Sequence, residues 1–249
     1  MQLQEFFKQN PRLAVAFSGG VDSSFLLYAA KAAGCEVHAY LIKSEFQPQF
    51  EIDEAVEMAK QLDVSLTIED FNVLSVPDVV VNSPDRCYKC KTKILDRLWT
   101  LAHSDGYNVL CDGTNADDDE DDRPGMRALK EQGVLSPLRI CNLRKDDIRK
   151  LSKEAGLFTH DKPAYACLAT RIPTGVEIKP EYLKMVEHAE SSLFGMGFSD
   201  FRVRLMPPGT AKIQMPKAQW DEAASRRTEI LNAIGSGFDS IVLDLVTRG

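Results

Sequence analysis

The stretch Phe17-Ser18-Gly19-Gly20-Val21-Asp22-Ser23-Ser24 decides the fold of this chain. Residues 13–17 form a short apolar run, which is typical of a buried strand in a parallel sheet. Apolar residues at helical spacing follow from Val21, so we expect a strand, a glycine turn and a helix in that order. Adjacent glycines let the backbone approach a ligand, and the free amides of a helix N-terminus attract phosphate. The stretch therefore predicts a phosphate-binding turn.

The turn differs from a Walker loop, which ends in Gly-Lys-Ser or Gly-Lys-Thr, because it contains no lysine. Its pattern, S-G-G-x-D-S, resembles the signature of the PP-loop ATP pyrophosphatases, which implies cleavage of ATP between the α and β phosphates. Asp22 can hold Mg²⁺ against the bound phosphates. The residues expected to bind ATP here are Ser18, Gly19, Gly20, Val21, Asp22, Ser23 and Ser24. The alternative is a serine- and glycine-rich turn that binds no ligand.

Strands and helices alternate after this turn. Residues 36–43 and 64–68 read as strands around a helical stripe at 51–62, and a helix at 86–102 precedes a strand at 109–111. This alternation predicts an α/β fold with a doubly wound parallel sheet. Ligands of such sheets bind beyond the carboxyl ends of the strands. Because Gly113 and Thr114 directly follow the last of these strands, we add them to the expected ATP site.

The pattern changes after Lys162-Pro163. An aperiodic connector, residues 165–175, ends in turn residues. Beyond it we expect helices at 180–195 and 217–234 and strands at 201–206, 210–215 and 239–245. The sequence therefore predicts two domains, a PP-loop domain over 1–162 and a smaller C-terminal α+β domain over 163–249.

Bulk composition limits the class of protein. The formal net charge of −7 argues against generic nucleic-acid binding, which needs a basic surface. No apolar run approaches the length of a membrane span, and the first residues lack the pattern of a signal peptide. We therefore expect a cytoplasmic protein whose six cysteines are thiols or ligands and not disulfides.

Cys87-Tyr88-Lys89-Cys90 places two thiols one helical turn apart at a predicted helix N-terminus. The helix dipole there favours thiolates, which suits metal or sulfur chemistry. The pair can be half of a zinc site, a redox pair or two thiols without a role. Cys167 is the expected third partner, because its segment is irregular and lies at the predicted domain junction. Three cysteines leave one position of a [4Fe–4S] cluster open for a substrate or a sulfide. Cys35, Cys111 and Cys141 read as small buried hydrophobes.

Arg202 and Arg204 lie two residues apart on a predicted strand, so their side chains leave the same face. Paired guanidinium groups fit a phosphate or a carboxylate through bidentate hydrogen bonds. A solvated basic strand is the alternative. Arg171, four residues after Cys167, is a similar candidate.

Six segments in this order resemble the LarE family of ATP-dependent sacrificial sulfur transferases, which serve the nickel-pincer nucleotide cofactor of lactate racemase. The resemblance covers nearly the whole chain. The segments are S-G-G-V-D-S-S at 18–24, R-C-Y-K-C-K at 86–91, D-G-T-N-A-D-D at 112–118, R-P-G at 123–125, K-P-A-Y-A-C-L-A-T-R-I-P at 162–173 and R-V-R at 202–204.

The resemblance implies a substrate and a mechanism. ATP with Mg²⁺ adenylylates a carboxylate of pyridinium-3,5-biscarboxylic acid mononucleotide, and a sulfur nucleophile then displaces AMP to leave a thiocarboxylate. Cys167 matches the sulfur-donating cysteine of the family. Cys87 and Cys90 resemble its three-cysteine subgroup, in which a [4Fe–4S] cluster carries a renewable sulfide. Arg171, Arg202 and Arg204 would hold the substrate phosphate, and family members form homo-oligomers, hexamers among them.

The sequence departs from the family after the R-V-R strand, where members usually show His-His and then a glutamate. Here Leu205-Met206-Pro207-Pro208-Gly209 follows, and Gln214 stands at the glutamate position. A metal role therefore does not carry over to Gln214. Two other functions share the loop: an ATP-dependent amidotransferase or synthetase of the NAD or GMP synthase kind, and a non-catalytic nucleotide-binding module.

Overall fold

The computed structural model describes residues 2–118 and 124–248. Residues 119–123, which include most of the acidic run from Asp117 to Asp122 and Arg123 of the R-P-G segment, lie outside the described residues. The helices are α1 (Leu3–Gln9), α2 (Val21–Ala32), α3 (Gln49–Gln61), α4 (Pro77–Val80), α5 (Arg86–Ser104), α6 (Pro124–Glu131), α7 (Pro137–Ile140), α8 (Lys145–Glu154), α9 (Pro180–Gly195), α10 (Trp220–Ser225) and α11 (Arg227–Ile234). The strands are β1 (Arg12–Ala16), β2 (Glu36–Lys43), β3 (Ser65–Asp70), β4 (Leu110–Asp112), β5 (Arg202–Met206), β6 (Thr210–Gln214) and β7 (Ser240–Leu243).

The chain divides into two compact units. Unit 1 comprises residues 1–72 and 85–162, and unit 2 comprises residues 73–84 and 163–249. The segment 73–84, which the sequence analysis placed in the first domain, therefore packs with the C-terminal residues. The functions predicted for the two parts stay predictions.

The sheet of unit 1 runs β3-β2-β1-β4 with parallel neighbours, which confirms the predicted α/β fold class. Leu13, Ala14 and Val15 of β1 are completely buried, as expected of a central strand covered by helices on both faces. Parallel register places Ala16 beside both Tyr40 and Asp112. The turn after β1 and the residues after β4 therefore lie at the same edge of the sheet.

Unit 2 is built on a mixed sheet of three strands. β5 and β6 form an antiparallel pair, and β7 joins β6 in parallel. Its core contains Leu193 of α9, Val203 of β5 and Ile230 of α11. This arrangement confirms the expected smaller α+β unit.

Two details differ from the sequence-based expectations. The helix expected over 217–234 divides into α10 and α11 at Arg226, whose guanidinium donates to Met196 O at 2.7 Å and contacts Glu222 and Glu229. Helix α7 was not predicted, because four residues are too short to show periodicity. Within the described residues, no helix is both long and apolar enough to cross a membrane.

Candidate active site

The turn between β1 and α2 is shaped by close packing. Gly19 has a φ of +72°, in the left-handed region that favours glycine. A Cβ atom built on Gly19 would lie 2.9 Å from Ala55 Cβ of α3, which is too close for any other residue. Glycine is therefore needed at position 19 to bring the backbone against α3 before the helix begins at Val21.

Hydrogen bonds among serine side chains hold the turn. Ser18 Oγ lies 3.1 Å from Ser23 Oγ, and Ser23 Oγ donates to Gly20 O at 3.2 Å. Two buried oxygen atoms, Ser24 Oγ and Asp22 Oδ1, have no hydrogen-bond partner among the described residues. Because a buried polar atom without a partner is costly, Asp22 Oδ1 suits a ligand or a cation that the protein chain does not supply.

The end of β4 packs against the first turn of α2. A Cβ atom on Gly113 would lie 2.7 Å from the Ser23 nitrogen, so glycine is required at this position. Thr114 donates its hydroxyl to Asp112 Oδ2 at 2.6 Å, and Ser136 donates to Asp112 Oδ1 at 2.7 Å. The Asp112 carboxylate thus fixes the loop that carries Gly113 and Thr114.

These loops surround a cavity of about 370 Å³ at the carboxyl edge of the sheet, within the size range of small-molecule sites. One part of its lining is polar and the other is apolar, as a nucleotide with a charged tail and a flat base requires. The polar lining includes Ser18, Gly20, Asp22, Ser23, Gln47, Lys91, Asp112, Gly113, Thr114 and Asp118, and the apolar lining includes Ile42, Ile94, Leu95, Leu98 and Leu129.

Three lysines reach this region, and the sequence analysis identified none of them. Lys145 Nζ lies 2.6 Å from Asp22 Oδ2, and Lys91 Nζ lies 3.8 Å from Asp112 Oδ2. Lys162 Nζ donates to Gly19 O at 3.5 Å and also contacts Glu51 and Glu54 of α3. The turn lacks a lysine of its own, but the first residue of α8 brings one to it. Lys145 lies in none of the six segments that resemble the family, so no motif pointed to it.

The paired cysteines lie in the first turn of α5, where Cys87 is exposed and Cys90 is half-buried. Cys167 is half-buried in unit 2 and immediately precedes a short 3₁₀ turn, Leu168–Arg171. Among the described residues, no three His, Cys, Asp or Glu side chains form a group that could hold a metal ion. Burial raises the pKa of the Cys35, Cys111 and Cys141 thiols, which favours their protonated form.

The three candidate phosphate-binding arginines, all in unit 2, donate hydrogen bonds to other groups of the protein itself. Arg171 is 1% exposed and pairs with Glu190 of α9 through Nε at 2.8 Å and Nη2 at 2.9 Å. Arg202 donates to Phe201 O and Ala164 O, and Arg204 donates to Thr170 O at 2.7 Å and to Gln214 Oε1. A phosphate contact from Arg171 would require its guanidinium to leave Glu190.

Desolvation and the neighbouring Arg171 charge lower the pKa of both Arg202 and Arg204. An anion placed beside this cluster would relieve that repulsion, which is compatible with the predicted role in holding phosphate. The role itself stays a prediction.

Comparison with known proteins places the chain in a family. Residues 12–79, which contain the turn, match the family of the queuosine biosynthesis protein QueC. The pyridinium-3,5-bisthiocarboxylic acid mononucleotide synthase of Lactiplantibacillus plantarum is 31% identical over 246 residues, which cover 96% of this chain and 87% of the synthase. The chain belongs to the LarE family.

Two other proteins are similar to this chain. An uncharacterized protein of Synechocystis is 36% identical over 87% of this chain and 81% of its own length. The tRNA-specific 2-thiouridylase MnmA of Pseudothermotoga lettingae is 27% identical over 61% of this chain and 54% of its own length. LarE proteins and the thiouridylase are PP-loop sulfurtransferases, so this chain is an enzyme of that kind with ATP as its nucleotide.

Proposed function

We propose that this LarE protein adenylylates a carboxylate of pyridinium-3,5-biscarboxylic acid mononucleotide and converts it to a thiocarboxylate in nickel-pincer nucleotide biosynthesis. The observation that carries the proposal is the match along nearly the whole chain to a synthase of the bisthiocarboxylic acid mononucleotide. The cavity behind the turn supports it, because phosphate-binding groups and an apolar wall meet there.

In the first step a substrate carboxylate oxygen attacks the α-phosphorus of ATP, and pyrophosphate leaves. The amides of the first turn of α2 bind the phosphates, and Lys145 neutralises the charge that develops on pyrophosphate. Asp22 fits a Mg²⁺ ion, since Oδ1 is buried without a partner among the described residues. When bound, the metal would supply charge neutralisation on the phosphates.

In the second step sulfur attacks the carboxyl carbon of the acyl adenylate, and AMP leaves. If Cys167 is the donor, its Cβ–S bond breaks and its Cα proton is lost, which leaves dehydroalanine. Thiolates are the ligands that a [4Fe–4S] cluster takes, and Cys87 and Cys90 offer two from one helical turn. No group of three ligands is present in the described residues, so we derive no step through a cluster.

Intact mass of the protein after anaerobic turnover with ATP, Mg²⁺ and the mononucleotide tests the proposal. Loss of the mass of one H₂S with thiocarboxylate formed indicates a sacrificial Cys167. Unchanged protein mass with thiocarboxylate formed indicates a renewable sulfur carrier. If this reaction releases pyrophosphate but forms no thiocarboxylate, the sulfur-transfer proposal is wrong.

Replacing Lys145 by methionine should raise the KM for ATP about 10- to 100-fold, because charge-assisted hydrogen bonds contribute about 1.5–3 kcal/mol. Initial rates of pyrophosphate release measure the effect. Lys150→Met on the exposed side of the same helix is the matched control and should leave KM unchanged. Equal KM values for ATP in the two variants would show that Lys145 does not bind ATP.

An ATP-dependent amidotransferase or synthetase is the second candidate, because the QueC match covers the turn but none of Cys87, Cys90 and Cys167. Turnover with ammonia that survives replacement of all three cysteines would favour it. Pyrophosphate release that depends on the mononucleotide would exclude a non-catalytic binding module.

We also propose the remaining assignments that the family implies. The protein acts in the cytoplasm on a small mononucleotide, without nucleic acid or membrane as a partner, and serves lactate racemase maturation. It assembles as a homo-oligomer, as family members do, hexamers among them. Mass photometry of the purified protein tests the assembly.

A further inference from the structure

Asn82 lies in the segment 73–84, which packs into unit 2 although unit 1 precedes and follows it in the sequence. Its side chain is almost completely buried, with 1% exposed. Its backbone has a φ of +54°, a left-handed conformation that asparagine and glycine tolerate and other residues rarely adopt. A buried amide needs hydrogen-bond partners, so the contacts of the Asn82 side chain show what it stabilises.

The Asn82 amide nitrogen binds one turn of unit 2. It donates to Pro173 O at 2.9 Å and to Val176 O at 3.0 Å, and Ile172 O lies farther away at 3.4 Å. An amide group has two N–H donors, so the two short bonds use both of them. Two main-chain bonds add to these, from Gly175 N to Asn82 O and from Ile178 N to Val80 O, each at 2.9 Å.

This turn is the continuation of the segment that carries Cys167. Cys167 O accepts from Thr170 N at 2.9 Å and from Thr170 Oγ1 at 2.8 Å, and Ile172 N donates to Ala169 O at 3.3 Å. The chain from Cys167 to Ile172 is thus held by short-range bonds of its own, and its far end is held by Asn82. Without the Asn82 amide, Pro173 O and Val176 O would lose their side-chain donor.

We propose that Asn82 is a positioning residue that holds the Cys167 segment in its reactive conformation. The inference rests on the proposed function, in which Cys167 takes part in sulfur transfer. Sulfur must meet the acyl adenylate at a defined angle and distance, and a displacement of about 1 Å can slow such a step about 100-fold. Adenylylation depends on residues of unit 1 and should not require Asn82.

The test variant is Asn82→Gly, which tolerates the left-handed backbone and removes the side-chain amide together with its Cβ atom. Val81→Ala, at a side chain that is 54% exposed in the same segment, is the matched control. The first measurement is the rate of Cys167 alkylation by iodoacetamide without substrate, followed by peptide mass spectrometry. We expect an increase of about tenfold in Asn82→Gly, because losing two hydrogen bonds makes local opening easier, and none in Val81→Ala.

The second measurement is the yield of thiocarboxylate per pyrophosphate released. It should fall about 10-fold or more in Asn82→Gly while the KM for ATP stays at the wild-type value. Asn82→Asp is the second variant, since it keeps the size and backbone preference but has no N–H donor. It should behave like Asn82→Gly.

The outcomes distinguish the positioning role of Asn82 from the proposed sulfur transfer. A folded Asn82 variant with wild-type alkylation of Cys167 overturns the positioning role, even if the wild-type protein transfers sulfur. Faster alkylation in a protein whose wild-type form makes no thiocarboxylate supports the positioning role and overturns the proposed function. Failure of both variants to fold would make Asn82 a stability residue and would also overturn the inference.

Discussion

Replacing Cys167 by alanine should abolish thiocarboxylate formation while ATP-dependent pyrophosphate release continues. The groups proposed for adenylylation, the turn at 18–24 and Lys145, belong to unit 1, whereas Cys167 lies in unit 2. The variant therefore keeps the activating residues and loses a sulfur atom needed in both proposed routes. Parallel assays of pyrophosphate and of thiocarboxylate measure the two steps separately.

Cys141→Ala is the control for this experiment. Cys141 is half-buried at the end of α7, and burial raises the pKa of its thiol, so it should have no part in the chemistry. Its variant should retain both activities. Thiocarboxylate formation at the wild-type rate in Cys167→Ala would show that the sulfur comes from elsewhere.

Replacing Glu190 by glutamine should destabilise unit 2 more than any surface change. The Glu190 carboxylate is 1% exposed and accepts from Arg171, from Val203 N at 2.8 Å and from the Tyr165 hydroxyl. Glutamine would leave the buried Arg171 guanidinium without a counter-charge, which costs about 3–5 kcal/mol. For a chain of this length the melting temperature should fall by about 6–20 °C.

The exposed pair of Arg226 and Glu222 provides the control. Its N–O distance is 3.0 Å, but 56% of the Glu222 side chain is exposed. Exposed pairs contribute about 0–1 kcal/mol, so Glu222→Gln should melt within about 4 °C of the wild-type protein. Differential scanning calorimetry of both variants measures the difference. Equal shifts would contradict the structural role assigned to Glu190.

Local patterns predicted the elements near the site well. β2 was expected over the same residues that the structure shows, and α2 was expected to begin near Val21, where it begins. These predictions succeed because apolar periodicity and glycine turns act over a few neighbouring residues. They fail where a contact between distant residues determines where an element ends. An example is Arg226 at the end of α10, which donates to Met196 O.

The candidate site was predicted only in part, because its lysines come from distant segments. Lys145 and Asp22 are 123 positions apart, and Lys162 and Gly19 are 143 apart. No pattern in either segment indicates the other. Likewise, the spacing of Arg202 and Arg204 along a strand does not reveal that Arg202 donates to Ala164 O and Arg204 to Thr170 O.

The sequence by itself determined the glycine turn between β1 and α2, the parallel sheet behind it and the family, since each depends on short motifs and their order. Only the tertiary structure decided which side chains meet that turn and which stay buried. Lys145 reaches Asp22 because parallel strands bring the turn and the loop after β4 to one edge, beside the start of α8. Asn82 reaches the Cys167 segment because residues 73–84 pack into unit 2. Such contacts arise from packing over long sequence separations, which local periodicity cannot encode.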